Sequence, residues 1–196
     1  AGQGIGAAIA RRFAAQGAHL ALVDINADHL RQLTDSLESS GCEVLPLTVD
    51  VSSKDQVQEM VAKILERFGR IDVLVHNAGI IRDNLISNIS ERDWDQVLDV
   101  NLKSAFLCCQ TIFPTLKSQR SGKIVNIVSR AWLGSVGQAN YTASKGGLVS
   151  LTRSLALEFA RFQINVNAVA PGAIDSPMTQ GMSAEGRDRL IRMQPT

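Results

Sequence analysis

The chain has 196 residues and a mass of 21.2 kDa, enough for one sizeable core and too little for two ordinary domains. Hydrophobic residues make up 45% and charged residues 20%, which excludes a disordered chain. Lys plus Arg is 20 against 19 for Asp plus Glu, and the resulting net charge of +1 calls for neither nucleic acid nor an anionic membrane as partner. No apolar stretch approaches the roughly 20 residues of a membrane-spanning helix, and the first residues lack the pattern of a signal peptide. The three cysteines, Cys42, Cys108 and Cys109, are odd in number with two adjacent, so no disulfide framework is expected and a reducing cytoplasm is. Cys108 and Cys109 lie in an apolar helical run and read as core. His19, His29 and His76 lack ligand spacing, and no metal site is expected.

In chain order, residues 5–16 read as a helix ending at Gly17, and 19–24 as a buried strand. A helix over 27–39, ending near Gly41, and a strand over 43–50 follow. Residues 53–68 form an amphipathic helix, capped by Ser52 or Ser53 and stopped by Gly69. A strand over 70–79 runs into a turn. Residues 90–118 are mostly helical, with Ser90 as N-cap. Residues 122–129 are a strand, 140–161 a helix, and 164–172 a strand ending in a Pro-Gly turn. Residues 177–194 read as one or two surface helices. The strands are apolar throughout, the mark of a parallel sheet covered on both faces. Strand–helix alternation at this spacing predicts an α/β fold, a doubly wound Rossmann-type parallel sheet flanked by helices. One partial dinucleotide-binding domain is expected over 1–196, with 173–196 as a segment covering the substrate. The chain opens inside a glycine loop that ordinarily follows a central strand and stops abruptly after a helix. The first strand and a C-terminal strand are therefore expected to be missing, which leaves the first strand's neighbours with unpaired backbone groups.

Gly2-Gln3-Gly4-Ile5-Gly6 opens the first helix. Glycines there let the backbone approach a pyrophosphate, and the helix N-terminus offers free N–H groups and a positive dipole end. The spacing G-x-G-x-G departs from the G-x-G-x-x-G fingerprint, and a glycine-rich turn also serves tight packing. Asp24 ends the next strand, about 20 residues on, where a carboxylate binds the adenosine ribose; otherwise it caps the next helix. A carboxylate there repels a 2′-phosphate, so NAD(H) is favoured over NADP(H). Gln3 agrees, because the loop has no Arg or Lys to hold an extra phosphate.

Tyr141, the only tyrosine, stands four residues before Lys145, which puts phenol and ammonium on one helix face. A free phenol titrates near 10, and a neighbouring cation is expected to lower that value. Tyr141 can then exchange a proton with an alcohol oxygen while Lys145 tunes it; alternatively the two form an ordinary surface pair. Ser129 ends the preceding strand, where it can hydrogen-bond the substrate oxygen or simply cap.

Together these residues resemble the short-chain dehydrogenase/reductase family, over essentially the whole chain and in the family's motif order. The opening AGQGIG is similar to the end of the T-G-x-x-x-G-x-G loop, so Gly2, Gln3, Gly4, Ile5 and Gly6 are implied to hold the cofactor. HNAG resembles the N-N-A-G segment, with Asn77, Ala78 and Gly79 in register and His76 in place of the first Asn. Asp50 and Val51 match the adenine contact. Asn101, Ser129, Tyr141 and Lys145 match the catalytic positions, and Asn101 is implied to hold a proton-relay water. PGAIDSPM resembles P-G-x-I-x-T-x-M, which brings in Pro171, Gly172, Ile174 (its backbone on the nicotinamide amide) and Ser176 in place of Thr. The family's Ser usually stands thirteen residues before its Tyr; Ser129 stands twelve before, read as one deletion in the loop, with Ser135 as rival. Trp132 in that loop either packs it or touches substrate.

The resemblance implies an NAD(P)-dependent oxidoreductase. Ser129 orients a carbonyl, Tyr141 donates the proton, and Lys145 tunes Tyr141 and binds the nicotinamide ribose. RDNL (82–85) and the W-x-x-V-x-x-x-N-L pattern are most similar to 3-oxoacyl-thioester reductases acting on acyl-carrier-protein or CoA substrates. Those enzymes typically use NADPH, which Asp24 contradicts, so the chain is either an NADH-using member or, as the alternative, an NAD-dependent dehydrogenase of a sugar, steroid or cyclic alcohol. A non-catalytic cofactor-binding regulator is the alternative of another class. A homotetramer is implied, burying the helices of 90–118 and 140–161 with Leu102, Phe106, Leu148 and Leu155 as contacts, unless these face the domain's own core.

Overall fold

Short apolar runs and longer amphipathic segments alternate along the chain, and the computed structural model shows them as alternating strands and helices. The structure describes residues 1–180, apart from the side chain of Met178, together with Asp188 and Ile191. The one domain expected over 1–196 is organised as two compact units, Ala1–Thr48 with Pro171–Thr196, and Val49–Ala170.

The first unit holds α1 (Gly4–Ala14), β1 (Leu20–Asp24), α2 (Ala27–Glu38), β2 (Val44–Thr48) and the short α7 (Pro177–Gln180). Helix α2 begins where Asn26 accepts hydrogen bonds from the N–H groups of Asp28 and His29, at 3.0 and 2.9 Å. Its Leu30, Leu33 and Leu37 recur at helical spacing and pack with Ala10, Leu22 and Val44 into one core. Burying each leucine contributes about 1.5–3 kcal/mol. Strands β1 and β2 pair in parallel from Leu20↔Val44 to Asp24↔Thr48, which sets Asp24 at the carboxyl end of the ladder.

The second unit holds α3 (Lys54–Phe68), β3 (Val73–His76), α4 (Glu91–Leu98), α5 (Ser104–Gln119), β4 (Gly122–Ile127), α6 (Ala139–Phe159) and β5 (Ile164–Val169). β4 is central, paired in parallel with β3 and β5. Ile124, Leu116, Val57, Val97 and Leu148 are fully buried around it. An amide side chain grips the backbone at each end of β3. Before the strand, Gln119 accepts from the Ile71 N–H (3.1 Å) and donates to its carbonyl (2.6 Å). After it, Asn101 does the same for Ile80, at 2.8 and 3.0 Å.

Parallel strands flanked by helices bear out the α/β class. The expected single sheet is described as two ladders, β1–β2 and β3–β4–β5, with β1 and β3 each paired along one edge. The strands are also shorter than the apolar runs, because ladder bonds end before the loops that follow. β5 is not apolar throughout: Ile164 and Val166 are buried while Asn165 and Asn167 are exposed, as befits the last strand of its ladder. The long helix expected over 90–118 is two helices separated by a π turn, Asp99–Lys103. Cys108 and Cys109 are buried as expected, and burial pushes their thiols up to about 11 and about 12. Of the substrate-covering segment expected over 173–196, and the helices expected over 177–194, the structure describes α7; most of the remainder lies outside the described residues. No helix among the described residues is long and apolar enough to cross a membrane.

Candidate active site

In the first unit, Gln3 is extended and α1 starts at Gly4 with no capping side chain and no acidic residue in its first turn, so its N-terminal N–H groups and dipole suit an anion. Gly2 is obligatory by contact: a Cβ there would lie 2.7 Å from His29 Cβ and 2.9 Å from its carbonyl carbon. Gly4 has φ +56, and a Cβ there would lie 3.7 Å from Pro177 Cδ and 3.8 Å from Ser176 Cβ, so the PGAIDSPM segment lies against the glycine loop. Asp24 Oδ2 accepts from the Gly2 N–H at 2.8 Å, and Oδ1 accepts from the Asn26 N–H at 3.0 Å. Burial pushes this carboxyl up, and the hydrogen bonds from the Asn26 and Gly2 N–H groups pull it down. Ser176 is held by Thr179, whose Oγ1 accepts from the Ser176 N–H at 3.0 Å. Ile174 is 43% exposed.

In the second unit, β4 delivers Ser129 just past its end and α6 carries Tyr141 and Lys145 on one buried face, at 9% and 3% exposure. A side-chain hydrogen bond joins Tyr141 to Ser129, whose Oγ also accepts from the Ala131 N–H at 3.2 Å. Ser129, twelve residues before Tyr141, thus meets the phenol, while the carbonyl of its rival Ser135 accepts from the Gln138 N–H at 3.2 Å. Lys145 donates to the Ile127 carbonyl at 2.9 Å, and burial pulls its ammonium down from 10.5 to about 8. Its Nζ lies 5.7 Å from the Tyr141 ring centroid. The expected lowering of the Tyr141 pKa by Lys145 is overturned: burial pushes the phenol up, the Ser129 hydrogen bond pulls it down in part, and the nearby Asp83 charge pushes it up again.

Asn101 is fully buried in the π turn. Both of its amide protons are committed, one to Ile80 O at 3.0 Å and one to Ser144 Oγ at 3.1 Å, so they cannot also hold a relay water. Gly79 lies beside it, since a Cβ there would be 3.4 Å from Asn101 Oδ1 and 3.5 Å from Lys145 Nζ. Asn77 and Ala78 lie in the same segment after β3. Asp50, with Val51 after it, organises the turn before α3: its Oδ1 accepts from the Ser52 N–H (2.9 Å) and hydroxyl (2.6 Å).

Three partners escaped the sequence reading. Ser144 donates to the Tyr141 carbonyl at 2.7 Å and accepts from Asn101, and its position three residues after Tyr141 was the available signal. The Ile127 carbonyl carries no sequence signal at all. Asp83 is bound by Gln138 Nε2 at 2.7 Å across a gap of 55 residues, which no local pattern reveals.

The family model for short chain dehydrogenases matches residues 1–186. The (2S)-[(R)-hydroxy(phenyl)methyl]succinyl-CoA dehydrogenase subunit BbsD of Thauera aromatica is 43% identical over 98% of this chain and 78% of its own length. The 3-oxoacyl-[acyl-carrier-protein] reductase FabG of Thermotoga maritima is 42% identical over 100% of this chain and 80% of its own. Among solved structures, levodione reductase superposes with a TM-score of 0.91 at 36% identity, covering 96% of this chain and 76% of that one. NAD+-bound xylitol dehydrogenase gives 0.84 at 34% identity, over 87% and 66%. A glycine-opened helix, a serine-bonded tyrosine with its lysine, and relatives that match nearly the whole of this chain agree: the chain belongs to the short-chain dehydrogenase family of NAD(P)-binding oxidoreductases.

Proposed function

We propose that this chain is an NADH-preferring reductase of 3-oxoacyl thioesters, with Asn101, Ser129, Tyr141 and Lys145 as its working set. The observation that carries the reading is the buried cluster in which the Ser129 and Tyr141 hydroxyls meet beside Lys145. The thioester class is supported by two relatives whose names specify a CoA or acyl-carrier-protein substrate.

The residues present fit a dinucleotide. Gly4, Ile5 and Gly6, behind Gly2 and Gln3, open α1 with N–H groups suited to a pyrophosphate, and Asp24 presents a carboxylate suited to ribose hydroxyls and hostile to a 2′-phosphate. Asp50, Val51, Asn77, Ala78 and Gly79 take the adenosine and nicotinamide ribose contacts. Pro171, Gly172, Ile174 and Ser176 take the amide end. Nicotinamide, when bound, supplies the hydride. Tyr141 is protonated in the free protein, so its Oη gives a proton to a carbonyl oxygen that Ser129 Oγ also hydrogen-bonds. Lys145, anchored on Ile127 O by one of its three protons, has others for a ribose hydroxyl and for drawing the phenolate charge. Asn101 acts by position, fixing Ile80 and Ser144 around that lysine.

The test follows nicotinamide absorbance during acetoacetyl-thioester reduction, with NADH and NADPH in parallel. Turnover with NADH that Tyr141→Phe abolishes is expected, and turnover with NADPH alone overturns the cofactor assignment. Absence of turnover with measurable cofactor binding overturns the thioester assignment. It favours the second reading, a cyclic ketone or sugar alcohol, which the likeness to levodione reductase and xylitol dehydrogenase supports. The contact proposed between copies of the chain is the open groove lined by Leu98, Leu102, Phe106, Gly147 and Leu151 together with Asp95, Asp99 and Lys103, where Phe106 is 46% exposed. Leu148, offered as a contact from sequence, belongs to the core instead. Phe106→Glu is expected to lower the oligomeric state in sedimentation.

A further inference from the structure

His76 is 3% exposed at the end of β3, and the proton transfer above does not use it. Its Nε2 lies 3.2 Å from Ser104 Oγ. That hydroxyl has a single proton and gives it to the Val100 carbonyl, 2.5 Å away. The contact with the ring therefore runs the other way: Nε2–H donates to Oγ, and the imidazole is the neutral Nε2–H tautomer. Burial, with the Lys145 charge adding to it, favours that neutral form.

The chain of bonds ends inside the π turn. Ser104 is the residue whose N–H closes the turn on Asp99 O, and Val100 directly precedes Asn101. A π turn carries one residue more per hydrogen-bonded ring than an α turn and is the less stable of the two. Relaxing to α register would swing the residues of the turn by up to about 100°, one residue's rotation. Asn101 would then lose Ile80 and Ser144. The neighbouring strand repeats the device: Asn126, the register partner of His76, donates to Thr152 of α6 at 2.9 Å. Two adjacent strand positions thus hold the two helices between which the site lies.

We propose that His76 is a positioning residue, whose Nε2–H acts through Ser104 to hold the π turn in the register that lets Asn101 grip Ile80 beside Lys145. This rests on the positioning role given to Asn101 above.

The experiment combines nitrogen-15 spectra of His76 in the intact protein with kinetics and amide exchange in His76→Leu, His76→Gln, Ser104→Ala and the double variant His76→Leu/Ser104→Ala. In the wild type the ring is expected neutral, with its proton on Nε2. His76→Leu and Ser104→Ala should each lower kcat about tenfold with cofactor KM within about twofold, and the double variant should be no worse than either. His76→Gln, which places an amide N–H at the reach of Nε2, should restore most of kcat. Exchange at the Ile80 N–H should quicken about tenfold in Leu and Ala variants and not in Gln. A proton on Nδ1, a charged ring, additive losses, or unchanged Ile80 exchange overturns the proposal. If His76→Leu does not fold, the wild-type spectra and Ser104→Ala still decide. A wild type that reduces no thioester defeats the function proposed above, while the spectra and the Ile80 exchange judge the positioning role by themselves.

Discussion

The two units present their functional groups by different physics. The first offers backbone: N–H groups at the start of α1 and a single partly buried carboxylate, Asp24, placed by the end of a strand and the cap of the next helix. The second offers buried side chains, with Asn101, Tyr141 and Lys145 nearly sealed from solvent and bonded to groups far away in sequence. A backbone cradle tolerates solvent because its groups are satisfied by water when nothing is bound. A buried polar cluster requires every partner in place, because each orphaned group costs about 1–3 kcal/mol. The first unit's groups are thereby set by local geometry and the second's by tertiary geometry.

The sharpest way to break this comparison is Tyr141→Phe. It should lower kcat by about 10²–10⁴-fold, the range for a lost general acid, and leave the cofactor Kd in titration unchanged. Acid should expose the second unit through His76. Burial takes its folded pKa down to about 3 from 6.5, so between those values the unfolded chain binds a proton that the folded chain does not. Stability is full above 6.5 and should fall with pH toward 3 by up to about 1.4 kcal/mol per unit in urea titrations, a slope that His76→Gln should flatten. Asp24→Ala is the converse probe. It should raise the KM for NADH about 10- to 100-fold, the loss of charge-assisted hydrogen bonds of about 1.5–3 kcal/mol, with kcat nearly unchanged. Lys145 loses its proton near pH 8 because burial disfavours the charge, so kcat/KM should decline above that pH by about tenfold per unit if the ammonium is the active form. The smallest effect belongs to a local cap. Ser90→Ala removes the acceptor of the Asp93 N–H (3.0 Å) and should cost about 1 kcal/mol in denaturant midpoint without changing kcat.

The elements legible in the sequence are those decided by neighbours along the chain. Asn26, Ser53 and Ser90 each accept from a following N–H at a helix start, and Gly69 ends α3 at φ +71, because caps and left-handed stops act within four residues. Leu30, Leu33 and Leu37 face one core because a helix of 3.6 residues per turn brings them round. The same locality made the glycine loop, Asp24 and the Tyr141–Lys145 spacing readable, and the order of motifs carried the family.

Tertiary structure decided the rest. The 90–118 segment breaks into two helices around a π turn whose Asn101 meets Ile80 and Ser144, at separations no periodicity records. The Tyr141 phenol illustrates the limit. Its spacing to Lys145 suggested a lowered pKa, but the sign is set by how much water the fold removes and by Asp83, brought near through loops stitched by Gln138. Sequence by itself determined which residue types stand at the strand ends and helix faces, since those follow from short-range sterics and hydrogen bonding. Protonation, the direction of each hydrogen bond and the register of the π turn waited on the tertiary structure, because desolvation and long-range contacts exist only once the chain is packed.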